Sequence, residues 1–146
     1  MSRLLTIGFT KKSAEEFFEK LKKNGVKRLV DIRINNTSQL AGFAKGKDLE
    51  YFLKEICNIE YIHIVDFAPT KELLSDYQNK RVDWTGYEKI FKDILIKRKI
   101  SERYKISNFD NSCFLCSEHL PDQCHRRLLV EHLKGNDKNV EIIHIK

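Results

Sequence analysis

The chain has 146 residues, 41% of them hydrophobic and 33% charged, values that suit a globular protein able to bury its own core without disulfide or metal support. Two prolines and six glycines leave little room for a disordered linker, and no apolar run approaches the ~20 residues that span a bilayer. The balance of 27 Lys and Arg against 21 Asp and Glu, net +6, favours anionic partners such as nucleic acid, nucleotides or phosphorylated metabolites.

Arg3 to Gly8 is a short apolar run ending in glycine and reads as a strand. Ser13-Ala-Glu-Glu16 is a capping box for a helix with Ala14, Phe17, Phe18 and Leu21 on one face, stopped by Asn24-Gly25. Val26 to Ile34 is the second predicted strand. Asn35 to Gly46 follows as a polar loop long enough to suggest a functional role. Asp48 is expected to cap a helix carrying Leu49, Phe52, Leu53 and Ile56, and Asn58 to lead into a strand from Glu60 to Val65.

Pro69 and Thr70 open a short helix through Leu73, Leu74 and Tyr77. A longer helix runs from Trp84 to Lys99, with Tyr87, Ile90, Phe91, Ile94 and Leu95 on its apolar face. Ser101 to Asn111 is expected as a polar connection. The pattern closes with a strand from Ser112 to Cys116, a helix from Cys124 to Leu133 ended by Gly135, and a strand from Val140 to Ile145.

Strands alternate with helices throughout, which predicts an α/β fold: a single three-layer, Rossmann-like domain over residues 1–146, with a mostly parallel sheet and helices on both faces. The opening residues lack a signal-peptide pattern. A cytoplasmic protein is therefore expected, with Cys57, Cys113, Cys116 and Cys124 as thiols rather than a disulfide framework. Oligomeric state is not legible.

Ligands of open parallel sheets sit beyond the carboxyl ends of the strands. Gly8 to Thr10, Asp31 with Arg33, His63 with Asp66, and Cys116 to Arg126 should therefore line one crevice. The last stretch concentrates reactive groups: Cys116, Glu118, Cys124, His125 and Arg126 surround a turn between strand and helix. A thiol at the helix start is exposed to a field that favours negative charge, so Cys124 is a candidate nucleophile. His125 is its possible base, although neighbouring helix residues do not face each other. Packing alone is the alternative role for Cys124.

Asp31 and Arg33 share one side of their strand with Leu29 while Val30 and Ile32 face the other. A charged pair inside a central strand needs a partner, so Asp31 is a candidate acid or base, or a paired structural carboxylate. Glu118 is a second candidate acid or base, or a brace for Arg33 or Arg126. Arg33 and Arg126 are suited to holding phosphate, and Asn35, Ser38 and their neighbours offer neutral donors and acceptors to a sugar or base edge. Gly8, Thr10, His63 and Cys116 complete the expected substrate-binding set, with His63 equally readable as structural. Trp84, Tyr87 and Tyr77 suit base stacking or a buried helix face.

Cys113 and Cys116 project to opposite faces of a strand, which argues against a zinc knuckle between them. No metal or cofactor is expected, and a metal held by Cys116, Cys124 and a histidine stays open. Neither a Walker loop nor a dinucleotide fingerprint occurs. These residues suit an enzyme acting on nucleic acid or a phosphate-bearing small molecule. The alternatives are a non-catalytic module binding such ligands, and a thiol redox or metal sensor.

Thr6-Ile-Gly8-Phe-Thr10, Leu29-Val-Asp31-Ile-Arg33, Tyr61-Ile-His63, and Leu115-Cys116-Ser-Glu118 with Cys124-His125-Arg126 together resemble domain-of-unknown-function family 488 in order and spacing, over nearly the whole chain. The resemblance implies a compact α/β protein of bacterial or archaeal type, with its shared polar residues at one sheet edge and no settled activity. Asn35-Asn-Thr-Ser38 stands where many relatives have a proline-containing segment, and Ala68-Pro69 where many have Leu-Gly.

Overall fold

Five parallel strands form one sheet in the order β3-β2-β4-β1-β5, where β1 is Ser2–Gly8, β2 Arg28–Asp31, β3 Glu60–His63, β4 Ser112–Cys116 and β5 Val140–His144. The structure is a computed structural model and describes residues 2–36, 42–116 and 124–146. Helices α1 (Ala14–Lys23) and α2 (Gly46–Phe52) cover one face, and α3 (Lys71–Gln78), α4 (Trp84–Lys97), α5 (Ile100–Arg103) and α6 (His125–Lys134) cover the other. This is the three-layer α/β arrangement that the alternation predicts.

Strand pleating divides the core in two. Leu5, Ile7, Leu29, Cys113 and Leu115 pack with Phe17, Phe18 and Leu21 of α1 and Leu49 of α2. Leu4, Val30, Phe114 and Cys116 pack with Tyr87, Phe91 and Leu95 of α4 and Leu128, Leu129 and Leu133 of α6. The opposite projection of Cys113 and Cys116 follows from the same alternation. Trp84 stacks on Tyr87 at 5.0 Å, and Tyr87 is buried, so this cluster serves the core.

The helix boundaries have local causes. Ser13 Oγ accepts from the Glu16 N–H, Thr70 Oγ1 from the Leu73 N–H and Asp83 Oδ1 from the Gly86 N–H, each filling an otherwise unsatisfied helix-start donor. Gly25 and Gly135 take positive φ just after α1 and α6.

Four expectations are corrected. The strand expected from Val26 to Ile34 is Arg28–Asp31, because the Asp31 side chain takes the Arg33 N–H and turns the backbone out of the ladder. The N-cap of α2 is Lys45, with no side-chain bond; Asp48 sits inside the first turn. The connection after Ser101 is largely helical, comprising α5 and a 3-10 turn at Ile106–Phe109, because Ile100 and Phe109 are buried and Tyr104 and Ile106 pack against the core. Finally, Cys116 and Cys124 are paired as a disulfide, leaving Cys57 and Cys113 free.

Candidate active site at the carboxyl edge of the sheet

β4 lies between β1 and β2, yet its connection leaves toward one face while theirs leave toward the other. Connections that diverge in this way mark the usual ligand position in open α/β sheets. The ends of all three strands are in register there: Gly8 pairs with Cys116 and Asp31 with Leu115. Beyond them, Ile32 N–H donates to the Leu115 carbonyl (3.1 Å).

On the α1/α2 side, Asp31 is fully buried and accepts four hydrogen bonds. Arg33 supplies three, from Nε (2.8 Å), Nη2 (2.6 Å) and its backbone N–H (3.1 Å), and Tyr61 supplies one from its hydroxyl (2.7 Å). Such a bidentate pair fixes the guanidinium plane. Arg33 Nη2 also donates to the Ala44 carbonyl (2.7 Å) and the guanidinium carbon lies 5.4 Å from the Phe9 ring centre. Among the described residues, Arg33 Nη1 is buried with no hydrogen-bond partner. Tyr61 in turn accepts from Asn36 Nδ2 (2.9 Å); burial and the adjacent Asp31 carboxylate push its phenol pKa up. His63, at the end of β3, donates from Nε2 to the Arg33 carbonyl (2.6 Å).

On the α4/α6 side, Cys116 ends β4 and Cys124 is the N-cap of α6. Their sulfurs are in contact across a Cα separation of 7.7 Å. Arg126 is fully buried and directs Nη1 at Cys116 Sγ (3.4 Å), a contact that favours the thiolate over the thiol when the pair is reduced. His125 joins the two halves over the sheet edge, donating from Nε2 to the Ile32 carbonyl (2.9 Å). The residue keeps some exposed surface, but desolvation of its ring pushes its pKa down to about 4, aided by Arg126 and opposed by the Ile32 hydrogen bond and Asp31. Neutral imidazole is therefore its form near pH 7.

Most of the predicted residues gather at this rim. Asp31, Arg33, His63, Cys116, Cys124, His125 and Arg126 are joined by the bonds above, and buried Gly8 pairs beside them. Thr10 and Asn35 are exposed in the loops that follow β1 and β2. Ser38 and Glu118 lie outside the described residues. Asp66, expected beside His63, accepts from Arg103 Nη2 and the Tyr104 hydroxyl, both at 2.7 Å.

Sequence reasoning missed Lys12. It follows β1, is only 8% exposed, and its ammonium pKa is lowered to about 8, by burial first and then by Lys20 and Arg126. Its neighbour Lys11 is exposed, so a Lys-Lys pair before a helix looks like ordinary surface. Tyr61 and Asn36 were also missed as supports for Asp31. A tyrosine two residues before the strand histidine, on the same face, was the available signal.

A parallel α/β protein with a cysteine pair, arginines and a braced carboxylate at the carboxyl edge is the class that this fold and site define. The sequence pattern of the family described as domain of unknown function DUF488 matches residues 13–133. The chain belongs to the DUF488 family. No curated protein and no solved structure matches it. No described helix is long and apolar enough to cross a membrane.

Proposed function

We propose that this single-domain protein is a cytoplasmic enzyme acting on a phosphate-bearing substrate, a nucleotide or nucleic acid, at the crevice over β1, β4 and β2. Arg33 supports this reading most directly. Its Nε and Nη2 are spent on Asp31 and Ala44, while Nη1 is buried and has no hydrogen-bond partner among the described residues. A buried charged donor left unmatched is costly unless a ligand oxygen completes it. Arg126 adds positive charge beside Cys116, and Lys12 lies close enough to Arg126 for the two charges to repel, an excess that suits an anion.

In this reading Asp31 and Tyr61 orient Arg33, and Arg33 and Arg126 hold phosphate. Gly8, Thr10, Asn35, Ser38, His63 and Cys116 border the substrate. Glu118 is the carboxylate that moves a proton or activates water, as cleavage of an N-glycosidic bond requires. Cys124 is the alternative nucleophile, with neutral His125 next to it.

Wild type, Glu118→Gln and Cys124→Ala are incubated with DNA, RNA and nucleotide pools, and new masses are sought. Product lost in Glu118→Gln but retained in Cys124→Ala selects carboxylate chemistry; the reverse selects the thiol. Absence of product from every pool with folded wild type overturns the enzyme reading, and steeply salt-dependent binding would then indicate a non-catalytic module. A second reading, a thiol redox sensor, is favoured by one observation: the Cys116 to Cys124 disulfide.

A further inference from the structure

We propose that the reduced protein holds a divalent ion of the zinc class on Cys116 Sγ, Cys124 Sγ and the His125 imidazole, at the carboxyl edge of the sheet. These ligand atoms all lie within 4.8 Å of one another. Both sulfurs are buried, and Cys124 and His125 start α6 while Cys116 ends β4, so two regular elements rather than a loose loop fix the donors.

Three features of the surroundings point to an ion. The His125 ring gives its Nε2 hydrogen to the Ile32 carbonyl (2.9 Å). That bond fixes the tautomer and leaves Nδ1 with its lone pair, the second-sphere arrangement that orients metal-bound histidines. The Arg126 guanidinium on Cys116 Sγ (3.4 Å) favours the thiolate, the form that binds metal. The Cα atoms of Cys116 and Cys124 stand 7.7 Å apart, a backbone frame that lets the two thiolates, once the pair is reduced, turn apart and flank an ion.

Two thiolates and an imidazole form a borderline-soft donor set suited to Zn2+ rather than Mg2+ or Ca2+. Three protein donors are the number that leaves a coordination position for water or substrate. The disulfide is then the metal-free, oxidised state. A small-molecule disulfide takes two electrons from the thiolate pair and, with two protons, leaves as two thiols; the S–S bond forms and the ion departs as a free dication. This inference does not depend on the substrate proposed above, because its readouts are spectroscopic.

The test is titration of the reduced full chain with Co2+. One equivalent should bind, producing a thiolate-to-cobalt charge-transfer band that Zn2+ abolishes by displacement. Cys116→Ser and Cys124→Ser should each lose most of the band, His125→Gln should weaken binding by at least about tenfold, and Cys57→Ser should leave the band unchanged. Protein oxidised with a small-molecule disulfide should bind no cobalt. Where a serine variant fails to fold, as judged by far-ultraviolet circular dichroism, wild type decides: Zn2+ should protect Cys116 and Cys124 together from alkylation, mapped by peptide mass. Absence of both band and protection in reduced wild type overturns the site, as does a band that survives loss of both cysteines.

Discussion

Asp31→Asn removes one charge and almost no volume from the best-braced group in the molecule. In the native protein the carboxylate accepts from Arg33 Nε at 2.8 Å, Arg33 Nη2 at 2.6 Å, the Arg33 N–H and Tyr61 OH, with Asp31 0% and Arg33 7% exposed. An asparagine retains one acceptor oxygen but turns an NH2 donor toward donors already there. Breaking a buried ion pair by removing one partner costs about 3–5 kcal/mol. Arg33 keeps its bond to Ala44 O and its contact with Phe9, which places the cost at the lower end, about 3 kcal/mol. For a chain of this size that lowers the melting temperature by about 6–12 °C. Equilibrium urea unfolding at pH 7, with a thermal melt, measures it. Asp31→Leu combined with Arg33→Met should recover most of the loss, since apolar replacement of a whole buried pair is often neutral. A single-variant loss under about 1 kcal/mol, or a double variant no better than the single, would refute a dry, tightly coupled pair.

Lys12→Met should abolish a rise in stability that the wild type shows between about pH 8 and 10.5. The folded pKa of about 8 lies below the ordinary 10.5, so from about pH 8 to 10.5 the unfolded chain holds a proton that the folded chain has shed. Wild-type stability from this group rises across that window. The wild type should therefore gain on the Met variant between about pH 8 and 10.5, and urea midpoints whose difference stays constant across that window contradict the assignment. Gly46→Ala places a Cβ 2.5 Å from Asn36 Nδ2 and 3.4 Å from Tyr61 OH; displacing Asn36 from Tyr61 should cost about 1–3 kcal/mol, and a variant as stable as wild type in urea would show that the brace yields freely. Asp83→Ala loses the 2.8 Å cap on the Gly86 N–H of α4 and should cost about 1 kcal/mol, read from the same unfolding curves; no loss would mean that solvent replaces the cap.

Where periodicity and capping speak alike, the sequence is a sufficient guide. The Ser13 box, the buried triad Phe17, Phe18 and Leu21, and the Ser112–Cys116 strand are all found where their patterns place them. The shared side of Asp31 and Arg33 follows from strand pleating alone, and their ion pair from the cost of burying charge. What the sequence conceals is set by single side chains acting on the backbone or by distant packing. Asp31 ends its own strand by bonding the Arg33 N–H, an act that β propensity in Ile32 and Ile34 masks. Ile100, Tyr104 and Phe109 pack around Phe67 and the α4/α6 core, and the step of five from Tyr104 to Phe109 breaks the helical period that Ile100 and Tyr104 begin. Lys12 is buried by its place after β1, which composition does not encode.

Strand order explains why the candidate site is more legible as a list of residues than as a geometry. Alternation of strands and helices fixes parallel pairing, but leaves open which neighbours β4 takes. Its insertion between β1 and β2 brings Cys116 beside Gly8 and Leu115 beside Asp31. At a sheet edge Cys116 would have only one of those neighbours. The same insertion lets α6 return over the rim, so that His125 reaches the Ile32 carbonyl while Cys124 reaches Cys116. The residues on the two faces are thus joined through backbone atoms of β2 and β4. A perturbation of the thiol pair should consequently be felt first at the His125 to Ile32 hydrogen bond, and through Ile32 at Asp31 and Arg33 on either side of it.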